Sequence, residues 1–351
     1  MASRFSAREM NDFCLYLSRE YGLSFPTTRY SFVGNRVETV MTDFGCNDLA
    51  DIILKAKKDL KLRIELLNCL TTNETWFFRH PEHFKILREH ILPEILASLR
   101  QTGDNRIRIW SAGCSIGAEL FSILFTILDV LPDPQNFNIQ LTGSDISNDA
   151  LDKAKSAVYN GHELRLLNEK MLTKYFRKRE HDSWQVLPEI QRYCSFELQN
   201  LLSSWPARSY DIIFCRNTMI YFDQSNKTKI AERFFKVLEP GGFYVTSANE
   251  MLHPGPQQEF SQIFIENEIV YRKLQQSNEL KLVKFKTPTD LLRALNLLKN
   301  NGFYFQLEKI PQTHKLAPMR AIYLRKRESA KVEELFSLNS IKVTSSQLIT
   351  K

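Results

Sequence analysis

The residues in this chain that could do chemistry sit where apolar runs stop. "YDIIFCRNTMIYFD", residues 210–223, opens as a buried strand from Tyr210 to Phe214 and leads into Arg216, Asn217 and Tyr221. In an open parallel sheet, ligands bind beyond the carboxyl ends of the strands, which is where this charge, amide and phenol would stand. A second run, "NIQLTGSD", ends in Asp145. A carboxylate there can accept hydrogen bonds from the two hydroxyls of a ribose, or it can cap the helix that follows. A third run, "RIRIWSAG", passes into Gly113-Cys114-Ser115-Ile116-Gly117 and then Glu119. Glycines such as Gly113 let the backbone approach a ligand closely, although a tight strand-to-helix turn needs them too. Glu119 can pair with a ligand amino group or simply complement the dipole of a helix start. The loop is not G-x-G-x-x-G and no phosphate-binding lysine follows, which argues against a dinucleotide and against a P-loop. The glycine loop and the acid at the next strand end together suggest an adenosyl ligand without a phosphate. S-adenosylmethionine fits, because its sulfonium favours nearby carboxylates and π-faces.

A further stretch lies upstream, "TTNETWFFR" from Thr71 to Arg79. Helical spacing puts Thr75 and Arg79 on one face, with Trp76, Phe77 and Phe78 left to pack; its plain structural reading is a capped linker helix. His80 and His83 lie three apart just beyond, but no further histidine or cysteine completes a metal site, so none is expected. No G-x-S-x-G elbow or nucleophile triad is evident.

The elements that would carry these residues follow from the hydrophobic period. From residue 1 to about 70 the pattern is helical. "FSAREMNDFCLYLSREYG" has apolar residues at Phe5, Met10, Phe13, Leu15 and Leu17 and stops at Gly22, and two more helical stretches follow. From about 106 to 273 strands alternate with helices, which implies a doubly wound, mostly parallel α/β sheet. The stretch from about Leu172 to Gln199, "RKREHDSWQVLPEIQRYCSFE" included, breaks that rhythm and reads as short antiparallel strands inserted into the sheet domain. From Leu274 onward "ELKLVKFK", "FYFQLEKI" and "RAIYLRK" read as strands. "TPTDLLRALNLLKNNG" reads as a helix with Pro288 at its start and Gly302 as its stop, and the last 20 or so residues as disordered. The domains expected are therefore a helical unit (1–70), a sheet domain (71–273, insertion about 172–199) and an α+β extension (274–351).

Composition sets the bounds. The 351 residues are 43% hydrophobic and 25% charged, ordinary for a soluble globular chain of two or three domains. No charged-then-apolar leader opens the chain and no apolar run approaches the ~18 residues of a membrane span. The six cysteines form no C-x-x-C pair and read as reduced thiols of a cytosolic protein. Net charge is +7, but residues 274–351 hold 14 Lys and Arg against 6 Asp and Glu, so the excess belongs to the C-terminal part. Nucleic acid, acidic lipid or acidic protein could answer such a surface, as could solvent alone.

Taken in order, "LTTNETWFFRHPEHF", "RIWSAGCSIGAELFSI", "GSDISNDALDKAKSAVY", "YDIIFCRNTMIYFD" and "LEPGGFYVTSANE" resemble the chemotaxis receptor glutamate methyltransferases, the CheR family, over about residues 5 to 273. The resemblance implies a class I methyltransferase (Rossmann-like) domain with an N-terminal helical domain and an inserted β-subdomain. It implies S-adenosylmethionine as cofactor, S-adenosylhomocysteine as product, and glutamates on the cytoplasmic helical domain of methyl-accepting chemotaxis receptors as substrate. Neither nucleic acid nor membrane insertion is expected, and the place of action is cytoplasmic. It implies ligand contacts from Asn73, Thr75 and Arg79, with Glu119 at the methionine end and Asp145 at the ribose. Asn200 and Leu201 would flank the adenine, Arg216 and Asn217 would lie near the methionine portion, and Tyr221 would stand at the rim. Arg79 and Tyr221 are the candidates to hold the reacting carboxylate. The alternatives are a methyltransferase of the same fold with another substrate, or a binding module that no longer catalyses.

Three features depart from the family. Its loop often carries Glu-Glu-Pro where this chain has Ala118-Glu119-Leu120, a histidine is missing near Ser247 to Glu250, and the inserted segment has a glycine-free turn near Lys178 to Ser183.

Overall fold

A computed structural model describes residues 4–71, 74–203, 205, 208–247, 250, 260–265, 268–273, 280–285, 288–300, 305–307, 321–341 and 343–349. Asn73 and Gly302, singled out above, lie outside the described residues. The first helix, α1 (Ala7–Tyr21), starts at a capping box: Glu9 donates its backbone N–H to the Ser6 hydroxyl, and the Glu9 carboxylate accepts from the Ser6 backbone. It stops at Gly22, whose φ of 76° is left-handed. Its buried face is Met10, Phe13, Leu17 and Tyr21; Leu15, two residues from Phe13 and so across the helix, is exposed instead. α2 (Tyr30–Asp43), α3 (Leu49–Ala56) and α4 (Leu60–Leu70) complete the helical unit, the last two capped by Asp48 and Asp59. One apolar cluster, from Phe5 to Leu70, fills it.

The next segment is not the linker helix its spacing suggests. Phe78 and His80 have φ of 55° and 60°, so the chain turns there. Phe77 is fully buried, its ring 4.9 Å from Tyr159 and 5.8 Å from Phe125, and its N–H donates to the Glu163 carbonyl. Burying a phenylalanine outweighs the weak helix preference of a few residues. Helix resumes at Pro81, a favoured first position. It runs as α5 (Pro81–Ile86), a π-turn (Leu87–Ile91) and α6 (Leu92–Thr102). Pro93 has no N–H to give and its ring crowds the preceding turn, which accounts for the local widening.

The sheet domain begins with β1 (Arg106–Ala112), α7 (Ala118–Val130), β2 (Asn138–Asp145) and α8 (Asn148–Ser156), the last capped by Ser147. An insertion follows: β3 (Val158–Asn160), α9 (Gly161–Leu164), α10 (Glu169–Tyr175), β4 (Phe176–Lys178), β5 (Ser183–Val186) and α11 (Pro188–Gln191). Its strands pair antiparallel in the order β3-β5-β4. The main sheet continues with β6 (Cys194–Leu198), β7 (Tyr210–Phe214), α12 (Gln224–Val237), β8 (Leu238–Val245), β9 (Phe260–Ile265) and β10 (Glu268–Lys273). Seven strands lie in the order β6-β2-β1-β7-β8-β10-β9, parallel from β6 to β8 and antiparallel at β10 and β9. The doubly wound α/β sheet expected from the sequence is therefore present.

Two limits of the insertion are corrected. "YCSFE" forms β6, a parallel strand on β2, so the small sheet ends before it; and the small sheet begins at Val158, earlier than residue 172. Short strands of mixed burial carry no signal of direction, and only the partner strand decides it.

The C-terminal extension is an ordered unit among the described residues: β11 (Leu280–Phe285), α13 (Pro288–Asn300), β12 (Phe305–Leu307), β13 (Ala321–Arg325), α14 (Lys326–Leu338) and β14 (Val343–Ile349). The antiparallel order β12-β13-β11-β14, with β-α-β-β-α-β succession, is the ferredoxin-like split arrangement. Val283, Phe285, Leu298, Val332 and Phe336 share its core, and β12 and α13 pack against β9. The expected disorder of the last 20 residues is overturned by β14, which pairs with β11 from Leu280 to Phe285. A Ser/Thr-rich run forms a strand once a neighbour supplies its hydrogen bonds.

Phe77→Ala should destabilise the protein by about 3–5 kcal/mol, because it opens a cavity where the linker, α7 and the insertion meet. Urea unfolding of the variant against the parent measures this; a loss below ~1 kcal/mol would show that Phe77 is not a clamp.

Candidate functional site

The sheet leaves an open cleft at the carboxyl ends of β1, β2 and β7. Its lining includes Thr75, Arg79, Gly113, Glu119, Asp145, Asn200, Leu201, Arg216, Asn217 and Tyr221, which are the described residues that the sequence offered as cofactor contacts or catalytic groups.

The glycine loop is held first by backbone hydrogen bonds. Gly113 and Cys114 both donate N–H to the Ser144 carbonyl, at 2.8 and 2.9 Å. Gly113 has φ 84°, and a Cβ added there would lie 2.0 Å from the Thr218 hydroxyl oxygen. Only glycine lets the loop pass so close to the loop after β7. Asp145 is not the cap of the following helix; Ser147 is. The Asp145 carboxylate accepts N–H bonds from Ser115 at 2.8 Å and Ser147 at 2.9 Å, fixing both loops around it. Burial pushes its pKa up while these donors pull it down.

Arg216 and Glu119 meet at the centre. Arg216 is 5% exposed; its Nη1 is 3.0 Å from Glu119, and its Nη2 donates to the Arg79 carbonyl at 2.7 Å. The other Glu119 oxygen accepts from Ser111 at 2.8 Å. Asn217, with φ 57°, donates its N–H to Glu250 at 2.6 Å, and Ile220 donates to the same carboxylate at 3.2 Å. Glu250 is buried, which pushes its pKa up, and it shapes the loop that carries Asn217 and Tyr221. Sequence reasoning missed that role; nothing local marks a glutamate as a loop anchor. It also missed Gln199, on the cleft wall, whose Nε2 is buried with no hydrogen-bond partner among the described residues.

The helical unit roofs the cleft. Ser24 donates its N–H to the Tyr221 carbonyl at 2.7 Å, Leu23 bridges Phe222, and the Asn200 side-chain amide reaches the Tyr21 carbonyl at 3.4 Å. At the mouth, Arg79 donates to the Glu74 carbonyl at 2.6 Å, and its guanidinium carbon lies 4.8 Å from the centre of the Trp76 ring.

These features suit an adenosyl ligand. Three acidic residues, Glu74, Glu119 and Asp145, line a cleft with no lysine among its described wall residues, a spare amide donor stands at Gln199, and Leu201, Ile146 and Phe222 offer apolar surface. Among the described residues no three His, Cys, Asp or Glu side chains gather as a metal site. A ligand cleft at the switch point of a seven-stranded doubly wound sheet, in a chain whose residues 73–269 match a methyltransferase family model, makes the protein an S-adenosylmethionine-dependent methyltransferase. Comparison with known proteins gives the family. The family description "CheR methyltransferase, SAM binding domain" matches residues 73–269. The "Probable chemotaxis protein methyltransferase" of Rhizobium etli is 32% identical over 250 residues, 70% of this chain and 92% of that one. "Chemotaxis protein methyltransferase 1" of Vibrio cholerae is 30% identical over 273 residues, 76% of this chain and 97% of that one. The chain belongs to the CheR methyltransferase family.

Behind Arg216, His83 is buried, and burial together with the Arg216 charge pushes its pKa down to about 3. The imidazole is therefore neutral, and its 3.5 Å approach to Glu268 is not an ion pair. As pH falls from about 6.5, the unfolded chain takes up a proton on this side chain that the fold does not accept until about pH 3. Stability should fall with falling pH through that window, by about 1.4 kcal/mol per pH unit where the one-proton difference is full. His83→Gln should remove this component from urea unfolding measured between those pH values. An unchanged slope would show that His83 takes up its proton in the fold.

Proposed function

We propose that the protein is a glutamate O-methyltransferase that transfers the methyl group of S-adenosylmethionine to glutamate side chains of methyl-accepting chemotaxis receptors. The convergence of Arg79, Glu119, Asp145, Arg216, Asn217 and Tyr221 on one cleft of a CheR-family chain carries this reading. Relatives of nearly full-length coverage bear chemotaxis methyltransferase names. Among the described residues no helix is long and apolar enough to cross a membrane. The proposed place of action is the cytoplasm, on the receptors' cytoplasmic helical region.

S-adenosylmethionine, when bound, supplies an electrophilic methyl group on a positively charged sulfur. In the proposed arrangement Asp145 accepts from the ribose hydroxyls, Asn200 and Leu201 flank the adenine, and Glu119 faces the methionine amino group. Thr75, Gly113, Arg216 and Asn217 complete the wall, and Asn73, outside the described residues, is a further proposed contact on the resemblance alone. The substrate carboxylate is ionised at neutral pH, so no general base is required. Its oxygen forms the new bond to the methyl carbon, the carbon–sulfur bond breaks, its electron pair stays on sulfur, and no proton moves. Arg79 and Tyr221 hold the carboxylate in line at the mouth. Catalysis then comes from alignment and exclusion of water beneath the helical roof.

Transfer of a labelled methyl group to receptor-containing membranes, released by mild base, is the direct test; absence of base-labile label would overturn the reading. Asp145→Ala should weaken S-adenosylhomocysteine binding about ten- to a hundred-fold, the loss of a charge-assisted hydrogen-bonding group. Calorimetry showing unchanged affinity would remove Asp145 from the site.

The three-part division, helical unit, sheet domain with its insertion, and basic extension, is part of the proposal. The extension carries the positive excess, while all the motif residues precede Lys273. Its role is to raise the encounter rate with an acidic receptor surface. A chain ending at Lys273 should still bind S-adenosylhomocysteine and should methylate a receptor fragment more slowly at low ionic strength. The gap to full length should close as salt rises. Equal rates at every salt concentration would remove the docking role, and an insoluble chain would mean that β12 and α13 complete the edge at β9.

A further inference from the structure

Trp76, on the cleft wall, carries a second arginine that the motifs do not include and that does not itself line the cleft. Arg165, just after α9, places its guanidinium carbon 3.4 Å from the centre of the Trp76 ring, a face-to-face stacking distance. Arg79 lies over the same ring at 4.8 Å, and His162 meets it edge-on at 5.7 Å. The two strands of chain are joined by the backbone bond from Phe77 to Glu163, so the stack is built into the fold. One indole thus gathers two cations at the rim of the site.

Arg79 donates to the Glu74 carbonyl, and Arg165 donates to the His162 carbonyl and meets the His162 ring. Glu163, the acid closest in sequence to Arg165, is taken by Lys153 and by its own capping box at Asn160. Among the described residues neither guanidinium has a carboxylate partner. The reaction proposed above needs one cation to hold one substrate carboxylate. Two cations stacked on one ring, one of them exposed, provide for two. Arg suits this use, because its planar fork stacks on an aromatic face while its N–H edge stays free for a carboxylate.

We propose that Arg165 forms a subsite for a second carboxylate of the substrate, an acidic side chain within a few residues of the glutamate that is methylated. The subsite rests on the reading of the protein as a glutamate methyltransferase. It makes Arg165 a specificity-determining residue for acidic segments, with Trp76 as the platform that sets its distance from Arg79.

The test uses the full chain and receptor fragments that carry a methylatable glutamate. In one set each acidic residue within four positions of that glutamate is changed to Gln. Arg165→Glu should raise KM for the unmodified fragment about tenfold at low ionic strength, through like-charge repulsion. It should leave kcat and the affinity for S-adenosylhomocysteine unchanged. One Gln fragment should show a raised KM with the parent enzyme and no further rise with Arg165→Glu, and Arg165→Lys should recover part of the loss. Arg165→Gln carries the same comparison if the charge reversal fails to fold. Equal KM values across fragments and variants would overturn the subsite. So would a joint loss of kcat and S-adenosylhomocysteine affinity, which would mean that Arg165 only stiffens Trp76 and Arg79. If the parent enzyme methylates no receptor fragment while S-adenosylhomocysteine still binds, the glutamate methyltransferase reading itself fails, and the subsite falls with it.

Discussion

Arg216 enters the interior at the end of a central strand, and a guanidinium taken out of water is tolerated there only with a counter-charge and hydrogen-bond acceptors; both its terminal nitrogens are paired, while Nε has no partner among the described residues. Glu119 meets one nitrogen and the Arg79 carbonyl meets another. Those two partners come from distant parts of the chain. One opens the helix after the glycine loop, and the other closes the segment that links the helical unit to the sheet. Removing either would leave a buried charge or a buried carboxylate without its counterpart, which is far more costly than losing an exposed pair. The cleft therefore takes its shape from one desolvated ion pair, and the segment carrying Thr75, Trp76 and Arg79 is drawn to the mouth by it.

Around that pair the loops are set by backbone hydrogen bonds. Asp145 and Glu250 each collect two N–H donors, one holding the loops after β1 and β2, the other the loop after β7. Burial raises the pKa of both carboxyls, so charged hydrogen bonds are formed at the expense of solvation. Gly113 lets two of these loops nearly touch. Such pre-paid order suits a reaction that needs alignment more than proton transfer.

Two of the departures from the family acquire physical reasons. Ala118, where a second acid is common, is fully buried at the start of α7, a place where a carboxylate would have no water. The glycine-free turn of the insertion is closed by His181 and Asp182 in left-handed conformations, with Arg179 donating to the Ser183 carbonyl. The extension beyond Lys273 has its own core and a ferredoxin-like order of strands, and it meets the sheet domain at β9.

How much could be read in advance depended on the range of the interaction concerned. The alternation of strands and helices, the stop at Gly22 and the strand-end positions of Asp145 and Arg216 are local, because period and glycine geometry act within a few residues. Such local signals were enough for the doubly wound class and for about half of the cleft wall. The strand direction of Cys194–Leu198, the turn at Phe78 and His80, the ordering of the last strand and the anchoring role of Glu250 were settled only in the tertiary structure. So was the sharing of the Trp76 ring between Arg79 and Arg165. In each of these cases a weak local preference is overridden by a partner remote in the sequence, a neighbouring strand, an aromatic pocket or a buried charge, and no window of adjacent residues contains that partner.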